Sequence, residues 1–272
     1  MDGSSFNPAV AVARLVWHLA GRSELAAIAF YEPRAQLFSD DDQVLPGSNT
    51  GARLLGATDG VDQIAGLISR LRADASTRRA AATVWRPEDA VRDSRDIPCT
   101  AGLTCHIRGG QLLTTVSMRS NNALRLLPYN LFEFTMLAEL IAAELEVEPG
   151  PYWHTVNSLH VFAADFEAAN ALTQANRGDS PAMAPMPGPG AIEEAACLAE
   201  HEARLRAAFE ADARSQLKTL VRHAERDLHP YWFGLYSVLA LFCARRAKAG
   251  DAVDFERLAA ATPPALRTEL AS

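Results

Sequence analysis

Residues 93–134 read DSRDIPCTAGLTCHIRGGQLLTTVSMRSNNALRLLPYNLFEF. A cysteine, Cys99, sits directly behind Pro98, and two alternating runs, LTCHI and QLLTTVSM, flank Gly109-Gly110. That alternation around a glycine pair predicts a β-hairpin. An Arg119-Ser120 pair follows, then LLPYN, then an apolar run over 131–145 that predicts a long helix. Each chemical feature has two readings. Free cysteines are mostly buried core residues, yet a thiolate is also a strong nucleophile. An arginine fork with a neighbouring hydroxyl can hold a phosphate, or it can be a strand-end salt bridge. The Asn130 amide offers one donor and one acceptor, matching a pyrimidine edge; equally, it can be a helix N-cap.

Outward from this stretch the chain mixes helix and strand signals. Residues 8–28 carry helix formers at roughly helical spacing, and 61–73 predict an amphipathic helix with Val61, Ile64, Leu67, Ile68 and Leu71 on one face. AAATVW reads as a strand ending at Trp85, residues 151–162 as another strand, and 165–176 as another helix. The segment 177–191, RGDSPAMAPMPGPGA, predicts a Pro/Gly-rich linker or lid. Beyond it, 192–227 is rich in Ala, Glu and Arg, and 231–249 reads as a buried helix with a basic end. The expected organisation is an α+β core over 1–176, the linker, and a helical C-terminal segment over 192–272. No internal repeat is visible.

The 272 residues are 49% hydrophobic with a formal net charge of -7 and a pI near 5.5. An acidic balance argues against a broad nucleic-acid or anionic-membrane surface, while leaving room for a local phosphate pocket. No apolar run is long enough to cross a bilayer, and MDGSSFNP lacks the basic and apolar regions of a signal peptide. Four cysteines without a CxxC pair fit free thiols in a reducing cytoplasm. HEARL at 201–205 lacks the second histidine of a zinc motif. Cys197 and His201 stand four residues apart without further ligands, and His18 reads as a core histidine.

The order of these features resembles the thymidylate synthase family. The matching residues are Pro98-Cys99-Thr100, the hairpin, Arg119-Ser120-Asn121-Asn122-Ala123-Leu124-Arg125-Leu126-Leu127-Pro128-Tyr129-Asn130, the long helix, and His160-Val161-Phe162. Upstream, DASTRRAAATVW is similar to the family's arginine-pair segment. The resemblance covers about residues 10–176 and implies a mixed sheet with packed helices. It implies that Cys99 adds to C6 of a pyrimidine nucleoside monophosphate and activates C5 for methyl or hydroxymethyl transfer. It further implies that Arg119 and Ser120 hold the 5'-phosphate, that Arg78 and Arg79 serve the partner's phosphate in a homodimer with shared sites, that Asn130 reads the base, and that His160 meets the sugar. The cofactor implied is 5,10-methylenetetrahydrofolate.

The departures cluster by function. Arg14 stands three residues before Trp17, where the family carries its catalytic glutamate, and an arginine cannot be a base. Thr100 replaces the histidine after the nucleophile. Asn122 replaces the aspartate that recognises the pterin, and Leu126 replaces the adjacent glycine. No tryptophan pair occurs near FYEPRAQLF, and Phe162 replaces the sugar-binding tyrosine. Three outcomes fit: a C5-modifying enzyme of altered specificity, like the hydroxymethylases of nucleoside-antibiotic pathways; a folate-independent thiol enzyme acting on a C5-substituted nucleotide; or a catalytically dead nucleotide-binding homologue.

Overall fold

The computed structural model describes residues 6–57, 59–174, 181–246 and 254–267. Its sheet is built from the opening stretch. Strands β1 (Ala81–Thr83), β2 (Thr100–Arg108) and β3 (Gln111–Met118) pair antiparallel. Gly109 and Gly110 turn the β2–β3 hairpin at φ 58° and 79°, a backbone region that glycine adopts without a Cβ penalty. The short pair β4 (Asn121–Asn122) and β6 (Leu159–His160) runs parallel beside the main sheet. Helix α5 (Leu127–Glu144) carries the chain across to β5 (Glu148–Val156), which pairs parallel with β3, giving the order β1-β2-β3-β5.

Burial alternates along β3 as the strand pattern requires, with Leu112, Thr114, Val116 and Met118 inside. The opposite face is open, with Trp153 47% exposed. The β2–β3 register slips between Thr100 and Gly102, immediately after Cys99. Such bulges re-aim side chains and recur beside functional sites.

The helical predictions need correction at their ends. The 8–28 helix is two: α1 (Pro8–Leu19), capped by the Asn7 side chain, and α2 (Leu25–Ala29), separated at Gly21 with φ 62°. The 61–73 helix is α4 (Gln63–Ala73), capped by Asp62, and Val61 stays outside it and exposed. The short α3 (Thr50–Leu54) precedes it. α5 begins at Leu127, so Asn130 lies in its first turn instead of capping it. The 151–162 strand divides into β5 and β6, with Phe162 beyond both. α6 (Phe166–Gln174) matches the 165–176 prediction as far as the described residues extend.

The C-terminal segment forms α7 (Ala191–Glu210), α8 (Leu217–Asp227), α9 (Pro230–Arg246), α10 (Phe255–Ala261) and α11 (Pro264–Arg267). Leu198 and Leu205 of α7 and Trp232, Leu235 and Leu239 of α9 share one core with Leu15 and Val16 of α1 and with Met136 and Leu140 of α5. A second core joins α4 to the sheet and to Phe134, Leu137 and Ile141 of α5. α5 therefore stands between two cores, which explains why it is apolar on nearly every side.

Of the expected linker, 177–180 lie outside the described residues. Residues 181–190 are a strap packed on α5, not a lid: Met186 is buried, its N–H donates to Glu139, and the N–H groups of Gly190 and Ile192 donate to Glu144. No helix among the described residues is long and apolar enough to cross a membrane.

Candidate active site

A cavity of about 250 Å³ opens between α1, α5 and the strand start at Cys99. Its walls include Cys99, Arg14, Arg119 and Asn130, so four of the candidate site residues read from the sequence meet in one place, with Thr100 and Leu126 beside them.

The nucleophile candidate is fixed through its backbone. The Cys99 carbonyl accepts from Arg119 N–H, while Arg119 Nε and Nη2 donate to the carbonyls of Pro98 and Ile97 at 2.9 and 3.0 Å. Trp85 lies under the Arg119 guanidinium at 5.8 Å. Burial pushes the Cys99 thiol above its usual value; Arg119 pulls it down and Asp96 pushes it up. The thiol is therefore protonated at neutral pH, and the cation beside it favours the thiolate. Asp96 is itself committed, accepting from Gly47 N–H and the Ser48 hydroxyl.

Arg14 meets two carboxylates in the fold, one of which, Glu133, is not among the residues singled out in the sequence. Arg14 Nε donates to Glu133 Oε1 at 2.5 Å, and its Nη1 donates to Glu32 Oε2 at 3.3 Å. The Glu133 side chain is only 6% exposed, and Glu32 and Glu133 both line the cavity. Burial alone would raise the Glu133 carboxyl, but the attraction of Arg14, with His18 at 3.9 Å from Oε2, holds it below the usual range. The same two carboxylates raise the Arg14 pKa against the opposing effect of burial. His18 is buried as expected, but in a polar setting, against Thr50 and Glu133 and edge-on to Phe134. The available signal was Glu133 itself, one charge inside the otherwise apolar LFEFTML, since a buried charge requires a partner.

The base-reading candidate sits in a chain of polar contacts. Asn130 Nδ2 donates to Asn121 Oδ1 at 3.2 Å, Asn121 Nδ2 contacts His154 Nε2 at 3.4 Å, and His154 Nδ1 lies 2.7 Å from the Tyr152 hydroxyl. Burial lowers the His154 pKa, which favours its neutral form.

The remaining predicted residues stand outside the cavity walls. Ser120 is half-buried between β3 and β4. His160 and Phe162 pack at 5.3 Å near the surface, with Arg125 over Phe162 and in a two-bond pair with Asp165. Arg78 and Arg79 are exposed before β1 and make no ion pair among the described residues. Asn122 is buried at 2% exposure; its Oδ1 accepts from Leu124 and Arg125 N–H, which makes it a turn cap, and its Nδ2 has no partner among the described residues. A capped, buried amide does not reproduce the pterin-binding aspartate expected at that position, and residues 30–38 themselves contain no tryptophan. The residues present do not fit the folate group in the way the resemblance implies.

Cys197 and His201 build no metal site: among the described residues no cluster of three ligating side chains occurs, and His201 turns to Asp227 at 3.4 Å. The four cysteines are free thiols.

Comparison with known proteins agrees with the fold and with the motif order. The thymidylate synthase family model matches residues 13–190. The chain belongs to the thymidylate synthase family. It is 32% identical over 180 residues to a deoxyuridylate hydroxymethyltransferase of Bacillus phage SP01, covering 62% of this chain and 47% of that protein. It is 34% identical over 116 residues to a putative thymidylate synthase of Methanocaldococcus jannaschii, covering 41% of this chain and 52% of that one. The chain thus spans about half the length of the curated relatives it matches. Among solved structures, T4 phage thymidylate synthase superposes with a TM-score of 0.55 at 19% identity, covering 69% of this chain and 71% of that one. Thymidylate synthase A of Bacillus subtilis gives 0.55 at 20%, covering 67% and 68%. These two likenesses establish the fold.

Proposed function

We propose that the protein is a one-carbon transferase acting at C5 of a pyrimidine nucleoside monophosphate, adding a methyl or hydroxymethyl group, with Cys99 as the nucleophile. The observation that carries this reading is the meeting of Cys99, Arg119, Asn130 and Arg14 around one cavity. The thiolate adds to C6, the double-bond electrons move toward C5 and O4, and C5 becomes a carbon nucleophile. Arg14, cationic and held between two carboxylates, stabilises the charge developing at O4. The donors of Arg119 not used on the Pro98 and Ile97 carbonyls, with Ser120, take the phosphate; His160 and Phe162 border the sugar. A second subunit supplies Arg78 and Arg79 across the open sheet face, in a two-fold dimer. The name of the phage relative favours deoxyuridylate as the substrate.

The state of Asn122 favours a second reading, a thiol-dependent C5 reaction without folate. Incubation with deoxyuridylate and methylene-tetrahydrofolate, followed by mass spectrometry of the nucleotide, separates the two. A methylated or hydroxymethylated base establishes the transferase. Unaltered nucleotide under all conditions, with normal nucleotide binding, removes it.

A further inference from the structure

We propose that Glu133 is a catalytic residue of this site, the group that carries protons to and from C5 of the bound base. The proposal rests on the pyrimidine reading above. Glu133 follows Asn130 by three residues in α5, which puts both side chains on one helix face, and both line the cavity with Cys99. Its Oε1 is taken by Arg14 Nε, whereas among the described residues Oε2 makes only the long 3.9 Å approach to His18 Nδ1. One oxygen is anchored and the other is available.

The other acidic or basic groups of the cavity are less suited. Asp96 has both oxygens engaged. Arg14 and Arg119 do not deprotonate, and Arg95 pairs with the exposed Asp40. Glu32 sits at the more exposed end of the Arg14 pair, at 23% against 6% for Glu133. The charged or titratable groups around Glu133 are Arg14 and His18 of α1 and, on the far side of the Arg14 guanidinium, Glu32.

The step balances without an added reagent. Cys99 thiolate adds to C6 and the electron pair moves onto the C5–C4–O4 unit. A proton reaches C5 from the Glu133 carboxyl, which solvent has charged. The resulting carboxylate then removes either C5 proton, the C5=C6 bond re-forms, and the thiolate leaves. The net reaction in heavy water is replacement of the C5 hydrogen by deuterium, with nothing oxidised or reduced.

The test follows the C5 proton of deoxyuridylate, deoxycytidylate, UMP and CMP by NMR in heavy water, with nucleotide dissociation constants from calorimetry. Glu133→Gln keeps an acceptor for Arg14 but has no basicity. General acid–base groups contribute roughly 10²–10⁴-fold, so exchange in Glu133→Gln should fall at least about 100-fold while the dissociation constant stays within about threefold. In the wild type exchange should fade as pH drops through the lowered carboxyl, and the residual rate of Glu133→Gln should lack that acid limb. Glu133→Asp, which keeps a carboxylate but shortens its reach, should retain part of the rate, and it carries the test if Glu133→Gln does not fold; a rate equal to wild type there overturns the proposal. Exchange in Glu133→Gln within threefold of wild type, with Cys99→Ser silent, overturns the role of Glu133 alone. Loss of binding and exchange together in a folded Glu133→Gln assigns a structural role and also overturns it. No wild-type exchange on any nucleotide overturns this proposal and the thiol reading together.

Discussion

Replacing Arg14 with methionine should cost far more than a typical surface change and should invert the response of stability to acid. The Arg14 and Glu133 side chains are 12% and 6% exposed, so their attraction is weakly screened. Removing the cation leaves a buried carboxylate with His18 at 3.9 Å and, in the same cavity lining, the like-charged Glu32. Breaking such a pair from one side costs about 3–5 kcal/mol. Glu133→Gln should cost less, about 1.5–3 kcal/mol, because Arg14 keeps Glu32 and a neutral acceptor. The double change Arg14→Met with Glu133→Leu should recover most of the loss, since apolar replacement of both partners is often neutral or better.

The pH dependence gives the sharper signature. In the wild type the Glu133 carboxyl is held below its usual value of 4.5, so its stabilisation is present above that value and is lost as pH falls through the lowered one. Without Arg14, burial prevails and the carboxyl shifts upward. Stability should then increase as pH falls from 7 through the raised value, opposite to the wild type. Urea titrations from pH 7 to well below 4.5 read both effects. A cost under about 1 kcal/mol with an unchanged pH trend would show that the pair is not the buried interaction described here.

Two further outcomes follow from the site's borders. With Phe162 half-exposed against His160 instead of a hydroxyl, UMP should bind within a hundredfold of deoxyuridylate; a larger ratio exceeds about 2.7 kcal/mol, more than one lost neutral hydrogen bond explains. Light scattering should show a dimer at micromolar concentration, and Arg78→Ala with Arg79→Ala should weaken nucleotide binding without altering the wild-type mass; a monomer would refute the shared site.

The hairpin, the long helix and the residues around Cys99 were legible because local chemistry set them. A glycine pair fixes the turn, and Pro98, Arg119 and Asn130 lie close in sequence to the elements that hold them. What stayed hidden depended on distant contacts. The Arg14–Glu133 pair spans 119 positions, and neither residue announces the other. Position 14 therefore reads as a simple loss of a carboxylate, although Glu133 of α5 meets it in the fold. Similarly, 181–190 looked like a lid because prolines and glycines suggest mobility, yet a Cβ at Gly188 would lie 2.6 Å from the Ala143 carbonyl, so glycine there permits close packing on α5. The C-terminal helices read as a separate segment because their apolar faces find partners in α1 and α5, near the other end of the chain or beyond the linker. Ser120, His160 and Phe162 border the cavity only if a nucleotide extends beyond its walls, which no sequence spacing could decide.

The central claim, that Cys99 is the nucleophile toward a pyrimidine nucleotide, is tested most directly by comparing wild type with Cys99→Ser. The measurement is loss of the C5 proton signal of deoxyuridylate in heavy water, followed by NMR at pH 8, where more of the thiol is ionised. Measurable exchange is expected from the wild type and none above the buffer rate from Cys99→Ser, with both proteins binding the nucleotide. Equal rates in the two proteins would contradict the claim and return Cys99 to the core.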